Sequence, residues 1–107
     1  MAYIYHISVK IHPDQMDELA IGASLERVLG YLRTLLPSQD GYITSRAMRS
    51  VSEDNEDILV VFESVWQDWV TFKDHMSSTL AEDKILVEFG PDVDRTKLQK
   101  STFVEVD

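Results

Sequence analysis

The sequence predicts an α+β fold in which a four-stranded antiparallel sheet carries helices on one face. Segments with strand periodicity and segments with helical periodicity alternate along the chain in the order β-α-β-β-α-β. Gly, Pro, Asn, Asp and Ser cluster where one segment gives way to the next. The chain has 107 residues, of which 44% are hydrophobic, values typical of one globular domain. We therefore expect residues 1–107 to form a single domain.

The first strand is predicted over residues 3–11. Its odd-numbered positions are all apolar or aromatic, whereas polar residues such as His6 and Lys10 occupy even-numbered positions. This alternation is typical of a strand with one buried face. Pro13 is expected to end the strand because it donates no ladder hydrogen bond, and Asp14 is a candidate cap for the helix that follows.

A helix is predicted over residues 14–36, with a break in its middle. The apolar residues before Gly22 and those after Ser24 lie on nearly opposite faces of a straight helix. Gly22 has a low helix propensity and Ser24 is a good N-cap. A kink, or two short helices meeting near residues 21–24, would bring both apolar sets to one side.

A turn at residues 37–41 leads into a predicted hairpin. Its strands are expected over residues 42–51 and 58–66, because both are rich in β-branched, aromatic and aliphatic residues. The polar segment 52–57 joins them.

A second helical region and a last strand complete the order. Asp68 is the expected N-cap of a helix that continues to residue 89, with an offset at Ser77-Ser78 and an end at Gly90-Pro91-Asp92. A final strand is predicted over residues 101–107. This order is the split-βαβ pattern of a ferredoxin-like fold, with its helices on one side of the sheet.

The strand predicted over residues 58–66 is apolar on both faces. Its outward-facing set, Leu59, Val61 and Val65, is as apolar as its inward-facing set. Two helices cover only one side of a four-stranded sheet, so the other side needs a different cover. A second copy of the chain is the simplest cover, and each side chain it buried would contribute about 1.5–3 kcal/mol. We expect a homodimer through this sheet face; the alternative is an apolar but exposed face.

Charge and composition argue against several classes of protein. The net charge is −9, and the densest charged cluster, 53-EDNED-57, is acidic, so neither nucleic acid nor an anionic membrane is an expected partner. No apolar run approaches the roughly 20 residues of a membrane span, and the N-terminus lacks signal-peptide features. The chain has no cysteine, and its three histidines share no metal-ligand spacing. We expect a cytoplasmic protein without a metal site.

Several motifs resemble the antibiotic biosynthesis monooxygenase-like family. A strand ends in Glu63-x-x-Trp66, and the capping Asp68, Phe72 and His75 follow it. The segments 13-PDQMDEL-19 and 37-PSQDGYITSRAMRS-50 are also similar, so that the resemblance spans most of residues 3–89. Proteins of this family form dimeric α+β barrels, in which each subunit encloses a pocket between sheet and helices. They include cofactor-independent monooxygenases of polycyclic, quinol-like compounds and haem-degrading enzymes.

The resemblance implies oxygenation of a small, hydrophobic, enolisable aromatic or quinol-type compound without a cofactor. Such chemistry needs a dry pocket, a proton acceptor and donors that stabilise the developing oxyanion. His75 is the candidate proton acceptor, because imidazole titrates near neutral pH. The candidate substrate-binding residues are Trp66 and Phe72 as pocket wall, and Arg46, His6 and Glu63 as polar groups on strands.

Haem degradation is not expected. The haem-degrading pattern needs an asparagine on the first strand, a tryptophan on the second helix and a histidine about ten residues later. Here the first strand has no asparagine, His75 occupies the tryptophan's place, and Ile85 stands ten residues beyond it.

Each candidate residue also has a purely structural interpretation. Trp66 is suited to joining strand and helix in the core, and His75 to a hydrogen-bonded structural role. Glu63 can pair with Arg46 or Arg49 across the hairpin, while His6 can simply line the sheet. The alternative function is accordingly a non-catalytic ligand-binding or assembly module of the same barrel fold.

Overall fold

The computed structural model describes residues 1–14, 16–51, 56–78, 80–89 and 98–106. In chain order the elements are β1 (Tyr3–Ile11), α1 (Glu18–Leu35), a 3₁₀ turn (Leu36–Ser38), β2 (Tyr42–Arg49), β3 (Ile58–Trp66), α2 (Trp69–Ser77), α3 (Leu80–Phe89) and β4 (Gln99–Val104). The strands form one antiparallel sheet in the order β2-β3-β1-β4. The predicted ferredoxin-like topology is confirmed, and β1 and β3 have the predicted bounds.

The core lies between the sheet and the helices. Alternate residues of β1 are buried there and pair with alternate residues of β3, as Ile7 does with Phe62 and Val9 with Val60. Ile21, Val28 and Leu32 of α1 belong to the same cluster. The strand alternation seen in the sequence therefore places one side of the sheet under the helices.

The first helix is continuous, so the predicted break near residues 21–24 is wrong. The buried face of α1 consists of Ile21, Ser24, Val28 and Leu32, which follow one another at helical spacing. Of the apolar residues before Gly22, Ile21 is on this face, whereas Leu19 is 88% exposed. One continuous helix therefore suffices, because Leu19 stays outside the core and does not have to be turned toward it.

The start of α1 also differs from the expectation. The cap is Asp17, whose Oδ1 accepts a hydrogen bond from Ala20 N at 2.8 Å. Asp14 instead donates its backbone N–H to His12 Nδ1 at 3.1 Å. The chain thus needs three further residues to turn from β1 before the helix begins.

The second helical region follows the prediction. Asp68 caps α2, since its Oδ1 accepts from Val70 N at 2.8 Å. The helix ends at Ser77, where Ser78 N–H donates to the carbonyls of Asp74 and His75, and α3 begins at Leu80. The predicted offset is therefore present. The expected end at 90–92 and most of the hairpin tip, 52–55, lie outside the described residues.

The bounds of β2 and β4 differ slightly from the prediction. β2 stops at Arg49, and β4 spans Gln99–Val104 rather than residues 101–107. None of the helices in the described part of the chain is both long and apolar enough to cross a membrane.

The side of the sheet opposite the helices, here called the open face, is not covered by any of the residues that the structure describes. Leu59, Val61 and Val65 of β3 project from it, and each is only half-buried. Beside them on β1 and β4 stand Ile4 and Phe103, which pair across the two strands. The predicted two-sided apolar character of β3 is therefore a property of the folded chain.

Candidate functional site

The sheet divides the predicted site residues into two groups. Trp66, Phe72 and His75 lie on the helix side, whereas His6, Arg46 and Glu63 lie on the open face. Side chains alternate between faces along a strand, so Glu63 and Trp66, three positions apart, point in opposite directions. The six residues therefore form two separate sites.

The helix-side group is a buried polar cluster built on Ser64. Trp66 Nε1 donates to Ser64 Oγ at 2.9 Å, and the same oxygen lies 3.3 Å from His75 Nε2. The centroids of the Trp66 and His75 rings are 4.7 Å apart, and Tyr5 meets His75 edge-on at 5.5 Å. Trp66 is fully buried and His75 is 6% exposed. The indole donor thus has the partner that a buried tryptophan requires.

Local sequence explains this cluster. Ser64 and Trp66 are two positions apart on β3 and share its inward face. His75 follows Phe72 by three residues on α2, so both side chains project from the buried side of the helix.

Burial sets the protonation state of the histidine. It lowers the pKa of His75 from 6.5 to about 4. The imidazole is therefore neutral at pH 7 and has one ring nitrogen available as an acceptor. Burial, reinforced by the negative charge of Glu82, also raises the pKa of Tyr5 to about 12, which keeps that hydroxyl protonated.

The space beside His75 is small. A cavity of about 10 Å³ is bordered by His75, Ser64 and Tyr5, and its wall is completed by Ile7, Leu32, Leu36, Phe62, Glu63 and Ala81. This volume matches about one water molecule and excludes an aromatic substrate. Trp66 does not border this cavity, and His75 bonds to a side chain rather than to backbone. The site is therefore nearly closed, although its polar groups face one another.

A larger recess, here called the aromatic groove, lies between α2 and β4. Its volume is about 300 Å³, at the lower end of the range for small-molecule pockets. Its lining residues are Tyr3, Trp69, Phe72, Thr102, Phe103 and Val104. The centroids of the first three rings lie 5.2–5.6 Å from one another, and Trp69 is 49% exposed. The groove thus presents aromatic walls to a flat apolar molecule.

Phe72 separates the aromatic groove from the His75 cluster. It lines the groove, and its ring also meets Tyr5, with 6.4 Å between the centroids. Tyr5 in turn contacts His75, which is not among the groove's lining residues.

The open-face group is a row of hydrogen-bonded polar side chains across three strands. Glu63 accepts from His6 Nε2 at 2.8 Å through Oε1 and from Arg46 Nε at 2.5 Å through Oε2. The expected cross-hairpin pair is therefore Arg46–Glu63, and the two residues are direct partners in the ladder. Burial alone would raise the pKa of Glu63, but the hydrogen bonds and charges of Arg46 and His6 outweigh it and place that pKa below 4.5. The glutamate is ionised at neutral pH.

Two parts of these sites were not predicted from the sequence. Ser64 hydrogen-bonds to both Trp66 and His75. The sequence signal for this role was a polar residue at an inward position of an apolar strand. Tyr3 and Trp69, together with β4, form the aromatic groove, which no local pattern indicates. A further buried charge, Glu82 on α3, pairs with Lys100 on β4. Within the described residues, no group of three or more His, Cys, Asp or Glu side chains is arranged to hold a metal ion.

The comparisons with known proteins support the fold. The sequence matches no protein-family model and no curated protein, but solved structures resemble it over nearly its whole length. SnoaB, a cofactor-independent oxygenase from Streptomyces nogalater, has a TM-score of 0.59 and 15% identity, over 99% of this chain and 93% of that one. A Bacillus cereus protein described as a candidate antibiotic biosynthesis monooxygenase has a TM-score of 0.66 and 16% identity, over 99% and 95%.

A third similar structure is a dimeric ferredoxin-like protein of unknown function from Jannaschia sp. CCS1. Its TM-score is 0.61 and its identity 15%, over 97% of this chain and 99% of that one. Identities this low establish similarity of fold, since one fold serves many functions. The ferredoxin-like fold expected from the sequence is therefore confirmed, and the similar structures include one described as a cofactor-independent oxygenase.

Proposed function

We propose that the protein is a homodimeric, monooxygenase-like protein that binds a small hydrophobic, enolisable aromatic or quinol-type compound and oxygenates it without metal or flavin. One observation carries the proposal: the aromatic groove has a ligand-sized volume, and its inner wall, Phe72, stands one helical turn from the buried neutral His75. The fold shared with a cofactor-independent oxygenase supports the same class of chemistry.

The proposed reaction assigns a part to each helix-side residue. The aromatic groove holds the ring system by apolar contact, with Trp69 and Tyr3 as its walls. His75 takes the proton released when the substrate forms its enolate, which then passes an electron to O₂. Because Phe72 separates the groove from His75, its side chain has to turn aside before substrate and base meet.

The open face is proposed to form the dimer. Leu59, Val61 and Val65 are half-buried in one chain, and a second copy packed on them would complete their burial. A similar structure is described as dimeric, which supports this assembly. His6, Arg46 and Glu63 share this face, so the proposal assigns them to the interface rather than to the substrate site.

The second candidate function is a ligand-binding module without catalysis. The cavity beside His75 has room for about one water molecule, and His75 does not line the aromatic groove. In this case the groove binds the aromatic compound and no proton is transferred.

Oxygen uptake with a panel of anthrones, naphthols and quinols distinguishes the two functions. The wild-type protein is expected to consume oxygen with at least one compound, His75→Ala to lose that activity, and the control His12→Ala, changed on a half-exposed loop residue, to retain it. Trp69→Ala is expected to weaken binding of the same compound, followed by native mass spectrometry.

The outcomes separate cleanly. Binding that depends on Trp69 without any oxygen uptake would favour the binding module. Equal oxygen consumption by wild type and His75→Ala, with no bound compound, would contradict the enzymatic proposal.

A further inference from the structure

The side-chain oxygen of Ser64 hydrogen-bonds to both Trp66 and His75. Its hydroxyl lies 2.9 Å from Trp66 Nε1 and 3.3 Å from His75 Nε2, and the serine itself is buried. Within the part of the chain that the structure describes, the Ser64 hydroxyl makes these two hydrogen bonds and no other. The directions of the two bonds follow from the chemistry of the three groups.

The indole fixes the first direction. A tryptophan Nε1–H is only a donor, so Ser64 Oγ is the acceptor in that bond. The serine has one hydrogen of its own to donate, and a buried hydroxyl hydrogen needs an acceptor. The second partner, His75 Nε2, is the atom placed to receive it.

The histidine can receive that hydrogen bond because it is uncharged. Burial keeps His75 neutral at pH 7, and a neutral imidazole has one protonated and one bare nitrogen. A bare Nε2 satisfies the Ser64 hydroxyl, whereas a protonated Nε2 would place two donors on one oxygen and leave the hydroxyl hydrogen unmatched.

We propose that Ser64, oriented by the Trp66 indole, holds His75 in the tautomer with its proton on Nδ1 and its lone pair on Nε2. The relay runs from Trp66 Nε1–H to Ser64 Oγ and from the Ser64 hydroxyl to His75 Nε2. Trp66 is then more than a packing residue, because its donor sets the direction of both bonds.

The tautomer has a consequence for catalysis, which rests on the proposed function. In this tautomer Nδ1 of His75 already carries a proton, so His75 can accept a substrate proton only at Nε2. The substrate gives its proton to Ser64 Oγ while the serine's own proton moves to Nε2, which leaves an enolate, an unchanged serine and an imidazolium. Ser64 and His75 border only the small cavity, which excludes the substrate, so this transfer also requires Phe72 to turn aside.

Nitrogen chemical shifts test the tautomer without any substrate. In the ¹⁵N-labelled full chain at pH 7, long-range ¹H–¹⁵N correlation spectra distinguish protonated from bare ring nitrogens. His6→Gln and His12→Gln remove the other two histidine signals and so assign His75. We expect Nδ1 of His75 at the protonated position and Nε2 at the bare position.

Three substitutions test the roles of the relay members. Ser64→Ala should let His75 populate both tautomers, so that its two nitrogen shifts move toward each other. Ser64→Thr keeps the hydroxyl and should retain the wild-type pattern, as rescue by a conservative variant. Trp66→Phe removes the indole donor but keeps an aromatic ring at this position, and should weaken the preference in the same direction as Ser64→Ala.

The wild-type spectrum alone can overturn the proposal, even if a variant does not fold. A proton on Nε2, or His75 shifts that do not change in Ser64→Ala, would show that Ser64 does not set the tautomer. Because the measurement needs neither substrate nor oxygen, the relay can be present in a protein that proves to have no oxygenase activity.

Discussion

Gly41 lies directly against Asp68, such that a Cβ atom built on Gly41 would stand 2.6 Å from the Cβ of Asp68. Gly41 has a φ of 79°, and its carbonyl accepts from Gln67 N–H at 2.7 Å. The turn before β2 thus packs against the cap of α2, the helix that carries Phe72 and His75. The position of the candidate site depends on this contact between two loops.

Alanine substitutions at two glycines should have opposite effects on stability. Gly41→Ala introduces a clash and an unfavourable φ, and should lower the free energy of unfolding by at least about 1 kcal/mol. Gly22→Ala lies in the interior of α1 with open space around the new methyl group, and should raise it by about 0.5–1 kcal/mol. Urea unfolding of both variants measures these changes. If Gly22→Ala were less stable than wild type, the result would favour a break in α1 at this position.

The pKa of His75 predicts a loss of stability in acid. The unfolded histidine binds a proton near pH 6.5 and the folded one only near pH 4, so the unfolded state binds more protons in between. The free energy of unfolding should therefore fall as pH decreases from about 6.5 to 4, by a total on the order of 3 kcal/mol. Urea unfolding across this range, with His75→Gln as the matched variant, measures the effect.

In His75→Gln this part of the pH dependence should disappear. Titration of His75 near 6.5, observed by NMR in the folded protein, would be inconsistent with its burial.

A charge on the open face should prevent dimer formation. Val61→Lys places an ammonium group among the apolar residues proposed to pack against the second copy, where its desolvation is costly. Val87→Lys, on the exposed side of α3, is the matched control. Light scattering should give twice the 12.3 kDa chain mass for wild type and control, and the single chain mass for Val61→Lys. A wild-type monomer at micromolar concentration would contradict the proposed interface.

Glu63 should stabilise the fold only at pH values at which its carboxylate is ionised. Its folded pKa lies below the ordinary value of 4.5, so its contribution is complete above that pH and is lost as pH falls through the lower folded value. Glu63→Gln should therefore be clearly less stable than wild type at pH 7, and the difference should shrink below pH 4.5. Arg46→Met should cost less, because the Arg46 side chain is 61% exposed whereas that of Glu63 is 8% exposed.

Chemical denaturation at pH 7 and pH 3.5, at one protein concentration, measures these differences. An unchanged gap between wild type and Glu63→Gln at the two pH values would show that the carboxylate charge does not act as described.

Local sequence patterns were sufficient to predict elements in which the same environment recurs at regular intervals along the chain. The alternation of β1 and the β-branched and aromatic residues of β3 predicted both strands with their exact bounds, and Asp68 predicted the start of α2. The break in α1 was wrong for a related reason: periodicity shows that residues share a face, but not which of two faces the core will cover. Leu19 and Ile21 are both apolar, and only packing against the sheet makes one exposed and the other buried.

The sequence by itself determined the order of elements, the ferredoxin-like topology and the two-sided apolar strand, because each depends on residues near one another in the chain. Only the tertiary structure decided that His75 meets Ser64, that Trp66 and Glu63 belong to different sites, and that Tyr3, Trp69 and Val104 form one groove. These relations join distant segments through the register of the sheet and the position of α2 above it. Strand pairing and helix packing set such distances, and no single segment contains them.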